Sequence, residues 1–216
     1  MSVADYMTDR LITVSPDTKI NMAVSVMKEN QIHRLPVIDG DQLVGLVTEG
    51  TIQAASPSKA TSLSIYEVNY LLNKMTVGEI MEKEVKTISK DAQLEDAIST
   101  MRHNDIGVLP VMDDKQVVGI ITTNDVLDGF LDITDYFVDA TVVQVMIEHD
   151  RKGVIYEIGK IMADNGFNIQ TLIVTRNLGP IMIEMHVDKT DSAAIKRALE
   201  DAGYDVRLVT SQKVND

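Results

Sequence analysis

The sequence predicts an α+β protein in two parts. A duplicated helix-and-hairpin module comes first, and a strand–helix–strand–strand–helix–strand unit follows it. Three observations predict this. Residues Val3 to Ile52 align without a gap onto Val77 to Val126, at a shift of about 74 residues and with roughly a third of the positions identical. Inside each copy the apolar pattern switches from helical spacing to two short runs split by a turn. After about Tyr136 the repeat ends and a new order of strands and helices begins. A unit that hides its apolar face against its own copy makes a pseudo-two-fold module with a cleft on its axis. Positions where the copies differ then show what each half of the cleft can still do.

Each copy opens with a short segment ending in a turn, Thr13 to Asp17 or Thr87 to Asp91. A helix follows, with Ile20, Ala23, Val24 and Met27, or Leu94, Ala97, Ile98 and Met101, at helical spacing. Asp17 and Asp91 are placed to cap it, and Asn30 and Asn104 to end it. Next come paired apolar runs, Leu35 to Ile38 with Leu43 to Val47, and Leu109 to Met112 with Val117 to Ile121. "DGDQ" and "DDKQ" separate them, so each pair reads as a hairpin. Pro36 and Pro110 belong at a strand start or edge, because proline donates no ladder hydrogen bond. A second helix leaves each hairpin near Thr48 or Thr122. Between the copies, Leu63 to Met75 reads as an inserted helix with Ile65, Val68, Leu71, Leu72 and Met75 on one face. It either covers a dimer or cleft surface or packs back on the module.

The last part carries "ATVVQVMIEHD" as a strand and a helix with Val154, Ile155, Ile158, Ile161 and Met162 as its stripe, stopped at Asn165-Gly166. "NIQTLIVTR" and "PIMIEMHVD" are strands around a "NLGP" turn. "SAAIKRALEDAG" is a helix ended by Gly203, and "YDVRLV" is a last strand. This is the ferredoxin-like βαββαβ order, an antiparallel sheet with helices on one face. The expected division is residues 1–136 (repeat one 1–56, insertion 57–76, repeat two 77–136) and 137–216.

Composition narrows the function. The chain has 216 residues, 44% hydrophobic and 25% charged, which suits two modest globular domains. Aromatics are 4%, so aliphatic side chains and the 12 Met fill the core, although a Met-lined binding surface also fits. A net charge of −13 disfavours nucleic acid and anionic membrane as partners. A small anionic ligand needs local cations or helix N-termini. There is no Cys, hence no thiolate nucleophile and no Cys-ligated metal, and this fits a reducing cytosol. No apolar run approaches the ~20 residues that span a bilayer, and the first residues lack a signal-peptide pattern. The expectation is a soluble, cytoplasmic protein. His33, His103, His149 and His186 form no metal motif, and the sequence has no nucleophile elbow, Walker loop or Gly-x-Gly-x-x-Gly. The reading is non-catalytic, with no metal.

"GIITTND", Gly119 to Asp125, ends the second copy. With the duplication, it makes residues 1–136 resemble a pair of CBS domains, the Bateman module. The family signature Gly-x-x-Thr/Ser-x-x-Asp/Asn falls on Gly119, Thr122 and Asp125. The resemblance implies that Asp125 holds the ribose hydroxyls of an adenosyl ligand, an adenine nucleotide or S-adenosylmethionine, with Thr122 beside the phosphates. A carboxylate accepting two hydroxyl hydrogen bonds suits the first role, and a helix N-terminus suits the second. A helix-capping or surface carboxylate is the alternative reading of Asp125. The first copy keeps Gly45 and Thr48 but puts Thr51 at the Asp position, with Glu49 adjacent, so one ribose site is expected and not two. His33 and Arg34, where the second copy has Gly107 and Val108, fall where family members place basic residues toward ligand phosphates; an exposed pair is the alternative. Thr13 and Thr87 match positions that frame adenine, and Ile12 and Val85 would be apolar walls.

"EHDRKGVIYEIGKIMADNGFNI" makes the last part resemble an ACT domain, a small-molecule regulatory fold. The resemblance implies an amino-acid site at Asp150, Gly153 and Asn168 across a dimer interface; a tight turn explains the same residues without a ligand. Two CBS repeats, a helical insertion and an ACT domain resemble the acetoin-utilisation type of regulatory protein. The implied partners are an adenosyl small molecule, an amino acid, a second copy of the chain and an unnamed target protein. A dimeric scaffold with vestigial ligand sites is the competing reading.

Overall fold

A computed structural model describes residues 1–56, 72–176, 179–188 and 191–212. The predicted inserted helix and the "NLGP" turn lie largely outside the described residues. The chain forms two compact units, Met1–Leu127 and Asp128–Asp216.

In the first unit, copy one contributes α1 (Ile20–Asn30), the hairpin β1 (Arg34–Asp39) and β2 (Gln42–Thr48), and α2 (Glu49–Ala55). Copy two contributes α3 (Val77–Ile80), β3 (Ile88–Ser89), α4 (Leu94–Asn104), the hairpin β4 (Val108–Asp113) and β5 (Gln116–Thr122), and the start of α5 (Thr123–Ile133). Both hairpins carry the same register shift, between Val37 and Ile38 and between Val111 and Met112. Pro36 and Pro110 are third in their strands, not first. Beyond Pro36, away from β2, lies the single bridging residue Val14, so the missing donor disrupts no long ladder.

The first helix of each copy ends at the residue the sequence suggests. Asn30 and Asn104 are the last helical residues, and their amides donate to the Val26 and Thr100 carbonyls at 2.8 Å. Gln31 and Asp105 then take the left-handed conformation, φ 55° and 53°. Asp17 and Asp91 cap neither helix. Lys19 and Gln93 hold the N-cap positions, and Asp96 reaches back to the Gln93 N–H. Val24 and Ile98, expected on the buried stripe, are exposed.

The opening segments are exchanged between the copies. Val3 N–H donates to Ala92 O, and Thr8 and Ile120 bond reciprocally at 2.9 and 3.0 Å. In mirror fashion, Val77 N–H donates to Thr18 O, and Glu82 and Leu46 bond reciprocally at 2.9 Å. Val3 is fully buried with Leu94, Met101, Leu109 and Ile121 of copy two. Val77 is fully buried with Ile20, Met27, Leu35 and Val47 of copy one. Each such valine contributes about 1.5–3 kcal/mol of burial to the other copy's core. Leu72 and Met75, the end of the insertion, also pack on the core of copy one.

The second unit has β6 (Ala140–Ile147), α6 (Val154–Asp164), β7 (Ile169–Thr175), β8 (Ile181–Val187), α7 (Ser192–Asp201) and β9 (Asp205–Gln212). Its sheet order is β7-β8-β6-β9, all antiparallel, as the ferredoxin-like order requires. Alternate residues Val143, Val145, Ile183 and Met185 meet Ile158, Met162, Ile195 and Leu199 of the helices. Ile155, placed on the buried stripe by spacing, is exposed. Among the described residues no helix is long and apolar enough to cross a membrane.

Glycine substitutions test this packing. A Cβ on Gly119 would lie 2.7 Å from Met7 Sδ and 2.9 Å from the Thr8 carbonyl oxygen, which the exchanged segment holds in place. Gly119→Ala is expected to lower unfolding free energy by about 1–3 kcal/mol. Gly159 lies inside α6 with nothing within 4 Å of its added Cβ. Gly159→Ala is expected to raise it by about 0.5–1 kcal/mol. Urea unfolding of both variants checks the pair.

Candidate functional site

The exchange brings copy one's Thr8 to Ile12 beside the end of copy two's β5. A cleft of about 260 Å3 opens there, lined from one copy by Arg10, Ile12, His33 and Arg34 and from the other by Ile120, Thr122, Asn124 and Asp125. Five residues singled out from sequence, Ile12, His33, Arg34, Thr122 and Asp125, thus share one cleft. Thr13, Thr87 and Val85 do not line it. Neither does Gly119, whose bare Cα is required by Met7 and Thr8.

Asp125 has a defined local job. Its Oδ2 accepts from the Thr122 backbone N–H at 2.6 Å and from the Thr122 hydroxyl at 2.8 Å. The carboxylate therefore sits on the N-terminus of α5, where the helix dipole favours negative charge. Oδ1 carries neither bond. In copy one, Thr51 performs the same cap: its hydroxyl accepts from Thr48 N–H at 2.9 Å, and its own N–H donates to the Thr48 hydroxyl at 3.1 Å. Capping thus explains why either residue type suits the position, but only Asp125 adds a carboxylate. The Thr122 hydroxyl proton, assigned from the resemblance to a ligand phosphate, is engaged by Asp125.

The other half of the pseudo-two-fold keeps Thr48 in the place of Thr122 but differs at the other polar and charged positions. Arg10, His33, Arg34, Asn124 and Asp125 are replaced there by Glu84, Gly107, Val108, Gly50 and Thr51. Glu49, expected as a charge near phosphate, pairs with His33, Nδ1 to Oε2 at 3.1 Å. Sequence reasoning missed Arg10 and Asn124. The repeat alignment held the signal, since both stand at positions where the copies disagree in charge or polarity. A larger open groove of about 600 Å3 runs past Val24, Met27 and Ile52, with a counterpart of about 400 Å3 past Ile98, Met101 and Val126. The smaller cleft carries more chemistry, because two arginines and a carboxylate converge in it.

In the second unit, Gly153 precedes α6 at φ 96°, a conformation that favours glycine. Asp150, Gly153, Arg151 and Arg176 line a hollow of about 300 Å3 floored by Ile147, Ile181 and Ile183. Asp150 and Arg176 are paired at 3.5 Å. Asn168 is not part of this hollow. It precedes β7 at the opposite end of the sheet, where its carbonyl accepts from Asp188 N–H at 3.1 Å. Within one chain the three residues implied by the resemblance are therefore not brought together. Arg151 is held by Glu157, whose other partner is the Tyr204 hydroxyl at 2.9 Å. Among the described residues no three His, Asp or Glu side chains cluster as a metal site.

The CBS domain model matches residues 3–57 and 77–132, and the ACT domain model matches residues 141–204. The chain belongs to the CBS-domain family, as a tandem pair followed by an ACT domain. Both are regulatory modules. A solved structure of an acetoin utilization protein (AcuB) from Vibrio cholerae is 26% identical, covers 62% of this chain and 93% of its own, and superposes with TM-score 0.53. CBSX2 from Arabidopsis thaliana in complex with AMP is 30% identical, covering 62% of this chain and 98% of its own, with TM-score 0.51. The CBS pair of protein MJ0100 in complex with 5′-methylthioadenosine and S-adenosyl-L-methionine is 29% identical, covering 60% and 95%, with TM-score 0.50.

The Arg151 hydrogen bond, then that of Tyr204, holds Glu157 down from 4.5 to about 2. A lowered carboxylate adds stability above its unfolded value and loses it as protons bind. That contribution is expected to be complete above about pH 4.5 and to fade toward pH 2. Because the pair is exposed, the effect is modest. Glu157→Gln is expected to flatten this part of the acid-unfolding profile, measured as thermal midpoint against pH.

Proposed function

We propose that this chain is a non-catalytic regulatory protein that senses an adenine nucleotide or related adenosyl ligand through its CBS pair. The observation that carries this reading is the single cleft in which Asp125 is set against Arg10 and Arg34. A carboxylate on a helix N-terminus is fixed in position, and its free oxygen can accept hydrogen bonds from a ribose diol. CBSX2 with AMP and MJ0100 with 5′-methylthioadenosine and S-adenosyl-L-methionine, each near 30% identical, support the ligand class. The likeness to AcuB supports a link to acetoin utilisation. Regulation follows if the ligand binds one arrangement of the module more tightly than another.

The ACT unit, in this reading, binds a small metabolite such as an amino acid or pairs with a second copy. Before it, Phe130 and Ile133 of α5 and the following Tyr136 and Phe137 are large apolar side chains left exposed, which favours a partner contact there. A dimeric scaffold without a working ligand site is the alternative.

The test is thermal unfolding with AMP, ADP, ATP, S-adenosylmethionine and amino acids. A ligand at ~100 times its dissociation constant is expected to stabilise the protein by about 2.7 kcal/mol. Asp125→Ala is expected to abolish the nucleotide shift and also to cost about 0.5–2 kcal/mol as a lost cap. Asp125→Thr, which copies the Thr51 cap, keeps the stability and loses the shift. Thr51→Ala leaves nucleotide binding unchanged. A flat panel, or equal loss from Asp125→Thr and Thr51→Ala, refutes the one-site sensor and favours the scaffold.

A further inference from the structure

We infer that Met7 is an oxidation site: a peroxide-class oxidant converts its thioether to the sulfoxide, loosens the crossing of the exchanged segment and takes apart the cleft that the crossing builds. The consequence for ligand binding rests on the adenosyl-ligand reading. The loosening of the crossing does not.

Met7 and Met81 hold equivalent positions in the two copies, and each packs on a glycine of the other copy's hairpin. A Cβ on Gly119 would lie 2.7 Å from Met7 Sδ and 3.2 Å from its Cγ; one on Gly45 would lie 2.8 Å from Met81 Cγ. The strand is bare where each thioether crosses, so no flexible side chain there can yield. Both methionines are half-buried at the margin of a core. Met7 packs on that of Val3, Leu109 and Ile121, and Met81 on that of Val77, Leu35 and Val47. Exposure sorts the other methionines. Met1 and Met22 are more than half exposed and belong to neither core, so their oxidation is silent. Met27, Met101, Met162 and Met185 are buried and shielded from a dissolved oxidant. Among the half-buried ones, only Met7 stands on the segment that continues through Thr8 to Arg10 and Ile12 in the cleft.

In the step itself, a sulfur lone pair attacks one peroxide oxygen. The S–O bond forms as the O–O bond breaks. The proton on the transferred oxygen passes to the departing hydroxide, which leaves as water. Sulfur gives up two electrons and the peroxide takes them. The chain has no Cys, so no thiol competes for the oxidant. The product is a larger, polar side chain in place of a flexible apolar one. Its oxygen must leave the apolar margin beside Gly119, and the segment shifts with it. That shift pulls on the reciprocal Thr8–Ile120 bonds, 2.9 and 3.0 Å, which hold Arg10 and Ile12 beside Asp125. Met81 stands beside the matching Glu82–Leu46 pair, in the half that has Thr51 in place of the carboxylate. Its oxidation costs stability and spares the cleft.

The experiment titrates hydrogen peroxide onto the full chain, maps oxidised positions by peptide mass spectrometry, and follows the thermal midpoint and AMP affinity. Met1 and Met22 are expected to oxidise first with no change in either reading. Met7 and Met81 follow, ahead of Met27 and Met162. As the Met7 sulfoxide accumulates, the midpoint is expected to fall by about 3–6 °C and AMP to bind about tenfold more weakly. A methionine sulfoxide reductase with a dithiol restores both. Met7→Leu, which keeps the volume without the sulfur, is expected to bind AMP as the unaltered chain does and to hold that affinity through peroxide treatment. Met81→Leu loses it as the unaltered chain does. If Met7→Leu itself lowers the midpoint, the reductase arm on the unaltered chain decides. The inference is overturned if Met7 oxidises no faster than Met27, if its sulfoxide leaves the midpoint unchanged, if the reductase restores neither reading, or if Met7→Leu loses AMP on treatment as fully as the unaltered chain. If neither AMP nor S-adenosylmethionine binds the untreated chain, the adenosyl reading fails alone, and the order of oxidation and the midpoints still decide whether the sulfoxide opens the crossing.

Discussion

The first unit depends on the exchange of opening segments between its two copies. Neither copy closes its own core: Val3 completes the core of copy two, and Val77 that of copy one. The exchange is possible because Gly45 and Gly119 leave their strands bare where Met81 and Met7 cross. The same crossing builds the cleft. Once Thr8 is bonded to Ile120, the residues that follow must run beside the end of β5, which delivers Arg10 and Ile12 from one copy to Thr122 and Asp125 of the other. Core completion and assembly of the cleft thus rest on the same crossing.

Duplication separates two requirements that a single copy would confound. Thr48 and Thr51 show what the start of the second helix needs for folding, which is a short oxygen-bearing side chain at each end of a reciprocal cap. Thr122 and Asp125 meet that need and add a fixed carboxylate. The copies are nearly interchangeable in the core, where Ile20, Met27, Leu35 and Val37 correspond to Leu94, Met101, Leu109 and Val111. They diverge at the cleft, where charge is gained on one side and reversed or removed on the other. The two halves thus keep matching core positions while their cleft-facing side chains differ in charge.

The second unit follows a similar economy with different parts. Gly153 turns the chain into α6, and the same turn presents Asp150 and Arg151 at the mouth of an apolar hollow. Glu157 and Tyr204 fix Arg151 at that mouth, while Arg176 arrives from the end of β7 to meet Asp150. The hollow is therefore lined by charges of both signs above a floor of isoleucines.

The sequence by itself determined the elements, the duplication and the two families, because apolar periodicity, turn residues and the repeat are local or self-referential signals. It also indicated Asp125, since one motif position could be compared with its own copy at Thr51. It marked the helix ends at Asn30 and Asn104 but not the left-handed residues that follow, because Gln31 and Asp105 do not advertise that backbone conformation. Only the tertiary structure decided that Gly119 serves packing against an exchanged segment, that Thr122 spends its hydroxyl on Asp125, and that Arg10 lines the same cleft as Asp125. Each of these is a contact between residues distant in sequence or a choice among hydrogen-bond partners, and no spacing along the chain encodes either.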